Sequence, residues 1–412
     1  MNELAEAAVA LDGGRSAEAL AIVTAALEGA TDSREEETLL ALGNYCAWLV
    51  GDWTDMATMI TNFRRVRQLA TARNAGARSM TAAVAPKPGR LELAQVPEPQ
   101  PLAGFVKIRV RAFGLNRTEK FLEMGGWPVS ELSPVAPLIN GIECAGEVVG
   151  CGPPIGDETQ LAEGTRVLAC ASSLGRGIDG THAEYVVVPR WGVVAVPEAG
   201  SHLSWRELAA LPLSFGTAAG SLAAMDTQSS DTVLVRGGTS ALGLSAITLA
   251  KHAMGCTVLA TSRRATSEPL LRSAGADEVL IEPEIRGTLR ALYPDGVDRA
   301  LECIGEATLK DTMHCVRRGG VMCQTGALSH EPGFNLHLLG EVPSSVKVTC
   351  YESDTLTAAV LAPLIDRLLN ALAAESVRLP LDPTEFSLQQ YKAAMAFLDS
   401  KDRKGKVVVT VP

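Results

Sequence analysis

The spacing of apolar residues along this chain changes character twice. Residues 1 to about 75 carry helical intervals: in AEALAIVTAALEGA the apolar side chains fall at 20, 22, 23, 26 and 27, the repeat of one covered helix face. Leu39, Leu42, Trp48 and Met59 extend that face, and ARNAGARS, 72–79, reads as a linker. From Met80 the period drops to two. Val106, Ile108 and Val110 alternate with Lys107, Arg109 and Arg111, which predicts a half-exposed strand. Similar short runs with Pro and Gly between them continue to about 205. After Ser204 a helical run reaches Met225, and from there buried strands (TVLVR, TVLATS, EVLI, RALECI, GGVMCQ) alternate with helices. That alternation predicts βαβ units and a parallel sheet. The last part, 346–412, holds two helices and the strand KVVVTVP. The expectation is an α/β protein with an all-α segment at 1–78, a mostly β region at 79–206, a parallel-sheet region at 207–345 and a closing segment at 346–412.

Composition narrows the function classes. Aromatics are 4% and Gly numbers 38, which favours close helix-on-sheet packing over an aromatic-rich sandwich. A net charge of -10 offers no basic stripe to a phosphate backbone, so nucleic acid is not an expected partner. No run approaches the roughly 18 to 20 apolar residues of a membrane span, and MNELAEAAVALDGGR has acids where a signal peptide has a basic flank. A cytoplasmic protein without membrane contact is expected. The nine Cys, at 46, 144, 151, 170, 256, 303, 315, 323 and 350, are odd in number and scattered, as reduced thiols would be.

The chemistry-bearing motif is DTVLVRGGTSALGLSAITLAKHAMGCTVLATSRR, a strand, a Gly-rich turn, a helix and a second strand. Such a turn lets backbone approach a pyrophosphate while the helix amides face it. In the G-x-G-x-x-G frame the glycines are Gly238 and Gly243, with Ser240 replacing the middle one. Gly238, Thr239, Ser240, Ala241, Leu242 and Gly243 are the candidate cofactor-binding residues, against the plainer reading of a Gly-rich turn in any α/β domain. At the tip of the second strand stand Ser262, Arg263 and Arg264, with no acid for the ribose hydroxyls of NAD. Arginine there accommodates an extra phosphate. NADP (NADPH) is the favoured cofactor; two solvated arginines starting a helix is the alternative.

Residues 80–412 resemble the medium-chain dehydrogenases/reductases, and within them the zinc-free quinone oxidoreductase and enoyl reductase branch. The resemblance is carried by AFGLNRTEKFLEMGGWP (112–128), GIECAGEVVG (141–150), GTHAEYVVVP (180–189), LPLSFGTAAGSL (211–222), VRGGTSALGLSA (235–246), RSAGADEVL (272–280) and GKVVV (405–409). It implies a GroES-like catalytic domain, 79–206, completed by 346–412, and a Rossmann NADP-binding domain, 207–345. It also implies that Thr217, Gly305 and Gly326 line the nicotinamide and that Asn116, Glu119 and Trp127 stand at the catalytic positions, Asn116 offering its amide to substrate or ribose. Each has a plain counterpart: a turn-capping Asn, a solvated helix acid, a packed indole. Trp127 replaces a Tyr usual in this branch, and an indole N–H cannot supply a proton at neutral pH, so water would protonate the substrate carbon.

In the zinc-bearing branch a Cys occupies the place of Asn116 and a His that of Ile142, while the structural zinc lobe needs four close Cys; here Cys144, Cys151 and Cys170 are far apart. No metal is expected. His182 is read as structural, and Cys303, His314, Cys315 and Cys323 fall on separate elements. The implied activity is hydride transfer from NADPH to a small-molecule conjugated carbonyl, enoyl thioester or quinone. The alternative is an NADPH-sensing or partner-binding protein with little turnover. The resemblance implies a homodimer joined at a sheet edge, with FNLHLLGEVPSSVKVTCY as that edge. The amino-terminal helices, two breaks 37 residues apart at Gly14 and Gly51, resemble a tetratricopeptide-type hairpin and could recruit a protein partner.

Overall fold

The computed structural model describes residues 76–412 except 88–89, 124–137, 155–158, 172–173, 176–177, 330–335, 354–355 and 376, together with Asn74 and positions 21–23, 26, 27, 36 and 39. Trp127 and most of the amino-terminal segment, including Leu20, Leu42, Trp48 and Met59, lie outside the described residues. At its described positions that segment is helical, and Val23 and Leu39 are buried.

The strands up to residue 195 are β1 (Ser79–Lys87), β2 (Arg90–Pro97), β3 (Phe105–Gly114), β4 (Leu138–Ile139), β5 (Glu143–Cys151), β6 (Arg166–Cys170), β7 (Tyr185–Pro189) and β8 (Val193–Ala195). They form one small sheet, ordered β2-β1-β4, and one large antiparallel sheet running through β3, β5, β6 and β8, with β7 also on β3. Val106, Ile108 and Val110 face its core, as their period demands. Lys107, expected outward, is instead buried, with its ammonium 2.6 Å from Glu98 and 5.5 Å from the ring centre of Tyr185. Glu98 and Tyr185 thus cover the polar side of the strand.

Beyond it come β9 (Thr232–Arg236), β10 (Thr257–Ser262), β11 (Glu278–Ile281), β12 (Val297–Glu302), β13 (Val316–Gln324) and β14 (Lys347–Cys350). They pair in parallel in the order β11-β10-β9-β12-β13-β14. The order reverses between β9 and β12, the crevice where doubly wound sheets bind ligands. This parallel sheet runs past residue 345, because β14 pairs with β13. The closing strands β15 (Phe386–Ser387) and β16 (Val408–Thr410) return to the antiparallel sheet, β16 pairing with β3. The architecture is therefore a GroES-like domain and a Rossmann domain.

Helix α1 (Arg117–Glu123) follows β3, and α2 (Trp205–Ala209) opens at Ser204, whose capping box with Glu207 satisfies two orphan groups. Helix α3 (Pro212–Ala224) joins the two sheets: its Phe215, Ala218 and Leu222 share one core with Ala112 and Leu168 of the antiparallel sheet and Val233 and Val235 of the parallel one. Gly216 and Gly220 give α3 a bare stripe. A Cβ on Gly216 would lie 2.8 Å from Leu356 and Leu361, and one on Gly220 1.9 Å from the Tyr351 ring, so Tyr351, Leu356 and Leu361 press directly on the helix backbone. Helix α4 (Ala241–Thr248) leaves the Gly-rich turn, and α5 (Glu268–Ser273), α6 (Ile285–Leu292), α7 (Glu306–Cys315), α8 (Leu338–Glu341), α9 (Ala358–Glu375) and α10 (Tyr391–Phe397) complete the described helices. None of the described helices is long and apolar enough to cross a membrane.

Candidate functional site

A cleft of about 230 Å³ lies between the two domains, walled by residues of α1, α3, α4, the end of β13 and the closing segment. Of the residues anticipated from sequence, Asn116, Thr217, Ser240, Ala241, Leu242 and Gly326 reach it. Arg117, Ser214, Thr325 and Arg403 also line it and were not anticipated.

The Rossmann side follows from local chemistry. Ser240 caps α4, its hydroxyl donating to Gly237 O at 2.8 Å and accepting from Gly243 N at 2.9 Å. The serine that replaces the motif's middle glycine thus fixes the turn, and the first-turn amides of Ala241 and Leu242 have no partner inside the helix. Thr261 braces the same turn: its hydroxyl accepts from Gly237 N and its carbonyl from Gly238 N, each at 3.1 Å. Gly243 permits the packing, since a Cβ there would sit 2.5 Å from Gly237 O. Thr239 lies within this turn. Gly305 holds φ at +102° in the step from β12 to α7, a left-handed conformation suited to glycine. Gly238, Thr239, Gly243 and Gly305 are not among the described residues that line the cleft.

At the tip of β10, Ser262 is buried and accepts from Arg264 N at 3.1 Å. The Arg264 guanidinium donates to the Lys401 carbonyl, across to the closing segment. Arg263 is exposed, and no acceptor for its guanidinium stands among the described residues. Burial, and then the charge of Arg263, hold Arg117 below the usual guanidinium range; burial, and then Arg117, do the same to Arg403. Like charges gathered at a cleft call for an anion. Free helix amides, hydroxyls and this basic group together fit a phosphate-bearing dinucleotide.

The catalytic side is a buried polar cluster. Lys406 Nζ lies 2.5 Å from Glu143 Oε1, 2.5 Å from Asn116 Oδ1 and 3.2 Å from Ser214 Oγ. Asn116 Nδ2 donates to Glu143 at 2.9 Å and to Glu119 at 3.2 Å. The expectation that this amide is offered to substrate or ribose is therefore corrected: its oxygen and both its hydrogens are engaged within the wall. Glu119, expected at a catalytic position with a solvated helix-face acid as its plain counterpart, is fully buried, which excludes the counterpart; it accepts from Asn116 N at 2.7 Å and Ile142 N at 3.2 Å. Burial raises its pKa to about 8. His182, also fully buried, is held by Tyr391 Oη at 2.7 Å and stacked on Phe113. Burial and the Lys406 charge push its pKa down to about 3. Glu143 Oε2 accepts from Leu213 N at 2.8 Å, satisfying an orphan amide in the first turn of α3.

Cys303 lines the cleft, but burial first and Glu302 second push its thiol well above the usual range, so it is no thiolate nucleophile. Among the described residues no three His, Cys, Asp or Glu side chains gather in a metal-binding arrangement.

Sequence families agree with this geometry. Residues 103–198 match the alcohol dehydrogenase GroES-like domain and residues 241–363 match the zinc-binding dehydrogenase family. A probable quinone oxidoreductase of Leishmania amazonensis is 28% identical over 337 residues, spanning 77% of this chain and 92% of its own. The chloroplastic NADPH-dependent alkenal/one oxidoreductase of Arabidopsis thaliana is 28% identical over 308 residues, 74% of this chain and 71% of its own. A zinc-type alcohol dehydrogenase-like protein of Schizosaccharomyces pombe is 31% identical over 239 residues, 57% of this chain and 66% of its own. Among solved structures, a mycobacterial protein complexed with NADPH superposes with a TM-score of 0.70 at 25% identity, covering 81% of this chain and all of that one.

Proposed function

Because the chain belongs to the medium-chain dehydrogenase/reductase superfamily and to its quinone oxidoreductase-like branch, we propose that it is an NADPH-dependent, zinc-independent reductase of conjugated carbonyls, enoyl thioesters or quinones. The oxidoreductase class and a nicotinamide cofactor come with the family. The preference for NADPH rests on one observation, exposed Arg263 just past the tip of β10, the place where an NAD enzyme needs an acid, with Arg117 and Arg403 lining the cleft. Zinc independence rests on Asn116 and Ile142, which stand where a zinc site needs Cys and His: Ile142 has no ligating side-chain atom, and the Asn116 amide oxygen already accepts from Lys406.

When bound, a reduced nicotinamide supplies the hydride. The chain's own residues do the rest. The amides of Ala241 and Leu242, with the cleft arginines, would hold the cofactor's phosphates, and Thr217 and Gly326 line the same cleft. Holding donor and acceptor in one narrow cleft supplies much of the rate by orientation alone. Thr217 cannot donate forward, because its hydroxyl donates back to Leu213 O at 2.6 Å.

The test is to incubate purified protein with NADPH or NADH and a panel of quinones, enones and enoyl thioesters, before and after dialysis against a chelator. NADPH oxidation that survives chelation supports the reading. Absence of both turnover and NADPH binding refutes it, and tight NADPH binding without turnover favours a sensing role.

A further inference from the structure

On the reductase reading above, we propose that the Ser214 hydroxyl, backed by the buried ammonium of Lys406, is the donor that grips the substrate's carbonyl or quinone oxygen and stabilises the negative charge developing there. Hydride arriving at a conjugated carbon or a quinone pushes electron density onto that oxygen. A pre-oriented donor aimed at it is the largest single aid a protein can give.

Ser214 is the third residue of α3 and lines the cleft. Lys406 Nζ donates to its oxygen at 3.2 Å, which uses a lone pair and leaves the hydroxyl hydrogen for another acceptor. No such acceptor stands among the described residues. Neighbouring polar groups on the wall are already spent: Thr217 on Leu213 O, Ser240 on Gly237 O, Asn116 on Glu119 and Glu143. What separates Ser214 from the other hydroxyls of the wall, Thr118, Ser353 and Thr325, the last already paired with Ser221 at 2.8 Å, is the cation behind it. An O–H that accepts from an ammonium is polarised and donates more strongly. Lys406 is itself fixed at 2.5 Å from both Glu143 and Asn116 and is 2% exposed, so the charge costs no reorganisation during reaction. Glu143, in turn, bonds Leu213 N and so sets the register of α3 that delivers Ser214. Lys406, Glu143 and Asn116 act as positioning residues; Ser214 touches the substrate.

The experiment compares wild type, Ser214→Ala, Ser214→Thr and the pair Lys406→Met with Glu143→Gln, which leaves no lone charge buried. NADPH affinity is followed by fluorescence, and kcat and KM by NADPH oxidation with an acceptor that wild type turns over. Ser214→Ala should lower kcat about 100-fold, with NADPH affinity within threefold, Ser214→Thr should recover most of it, and the charge-removing pair should resemble Ser214→Ala. A Ser214→Ala enzyme within twofold of wild type in kcat overturns the proposal while leaving the reductase reading intact. A wild type inert with every acceptor removes that reading, and the proposal with it.

Discussion

Glu119 Oε2 stands 3.7 Å from His182 Nε2, and both side chains are completely buried. The carboxyl has its pKa raised to about 8 and the imidazole its pKa lowered to about 3, so near neutrality the pair is mostly uncharged. Their pH signatures have opposite signs. The folded state holds a proton on Glu119 that the unfolded chain loses near 4.5, so its contribution is complete below 4.5 and is lost as pH rises to about 8. His182 is the reverse: the unfolded chain takes up a proton below 6.5, so stability is lost as pH falls toward about 3. Thermal melts should show a broad optimum near pH 4.5–6.5, falling on either side. Glu119→Gln should flatten the alkaline fall, a gain on the order of 2–4 kcal/mol above pH 8. An unchanged alkaline limb in that variant would show that other groups govern it.

The two arginines at the tip of β10 should differ. Arg264 already donates to the Lys401 carbonyl, whereas Arg263 has no such tie. Arg263→Ala should weaken NADPH binding by about 1.5–3 kcal/mol and leave NADH nearly unchanged. Arg264→Ala should cost less. Equal losses for both cofactors, measured by titration, would count against a phosphate contact.

Gly326 tolerates no side chain. An added Cβ would lie 2.0 Å from the Cys303 carbonyl, which is backbone and cannot swing aside. Gly326→Ala should part the ends of β12 and β13, costing about 1–3 kcal/mol in a denaturant melt and abolishing measurable cofactor binding.

On assembly, β14 is the edge of the parallel sheet, with Val348 43% and Leu339 of nearby α8 97% exposed. An apolar edge needs covering, and a homodimer joined there is expected by light scattering. Val348→Asp with Leu339→Asp should shift it to monomer. A monomeric wild type would refute the edge.

Removing residues 1–75 should leave NADPH affinity within about threefold, roughly 0.7 kcal/mol. Among the described residues, none of that segment lines the cleft. Burial of Val23 and Leu39 points to lower stability or altered assembly instead, read by melting and scattering.

The parts of this fold legible in the sequence were those with a local cause. TVLVR and TVLATS announce strands by composition, and the Gly238-to-Gly243 run announces the tight turn between strand and helix. The catalytic cluster was not legible in this way. Lys406 and Asn116 are 290 positions apart, and no periodicity links a terminal GKVVV to an Asn after β3. Arg236 is a similar case: a charged residue in a core strand, it is buried by ion pairs at 2.7 Å to Glu282 and to Asp311, partners that only the sheet order brings together. For Glu119 the sequence left a catalytic acid and a solvated helix-face acid both open, because its helix is short and has no clear face; its burial shows only in its bonds to Asn116 N and Ile142 N.

Finally, Gly216 and Gly220 leave α3 a weak helix by itself, each costing roughly 1 kcal/mol relative to Ala. What compensates is pressed on from Tyr351, Leu356 and Leu361, more than 130 residues later in the chain. During synthesis from the amino terminus, then, the helix that carries Ser214 and Thr217 must wait. A nascent chain halted before residue 350 can already hold its Gly-rich turn and its first parallel strands, yet it lacks the wedge that stiffens α3. The packing that completes the wall carrying Ser214 and Thr217 is thus supplied by one of the last segments to leave the ribosome.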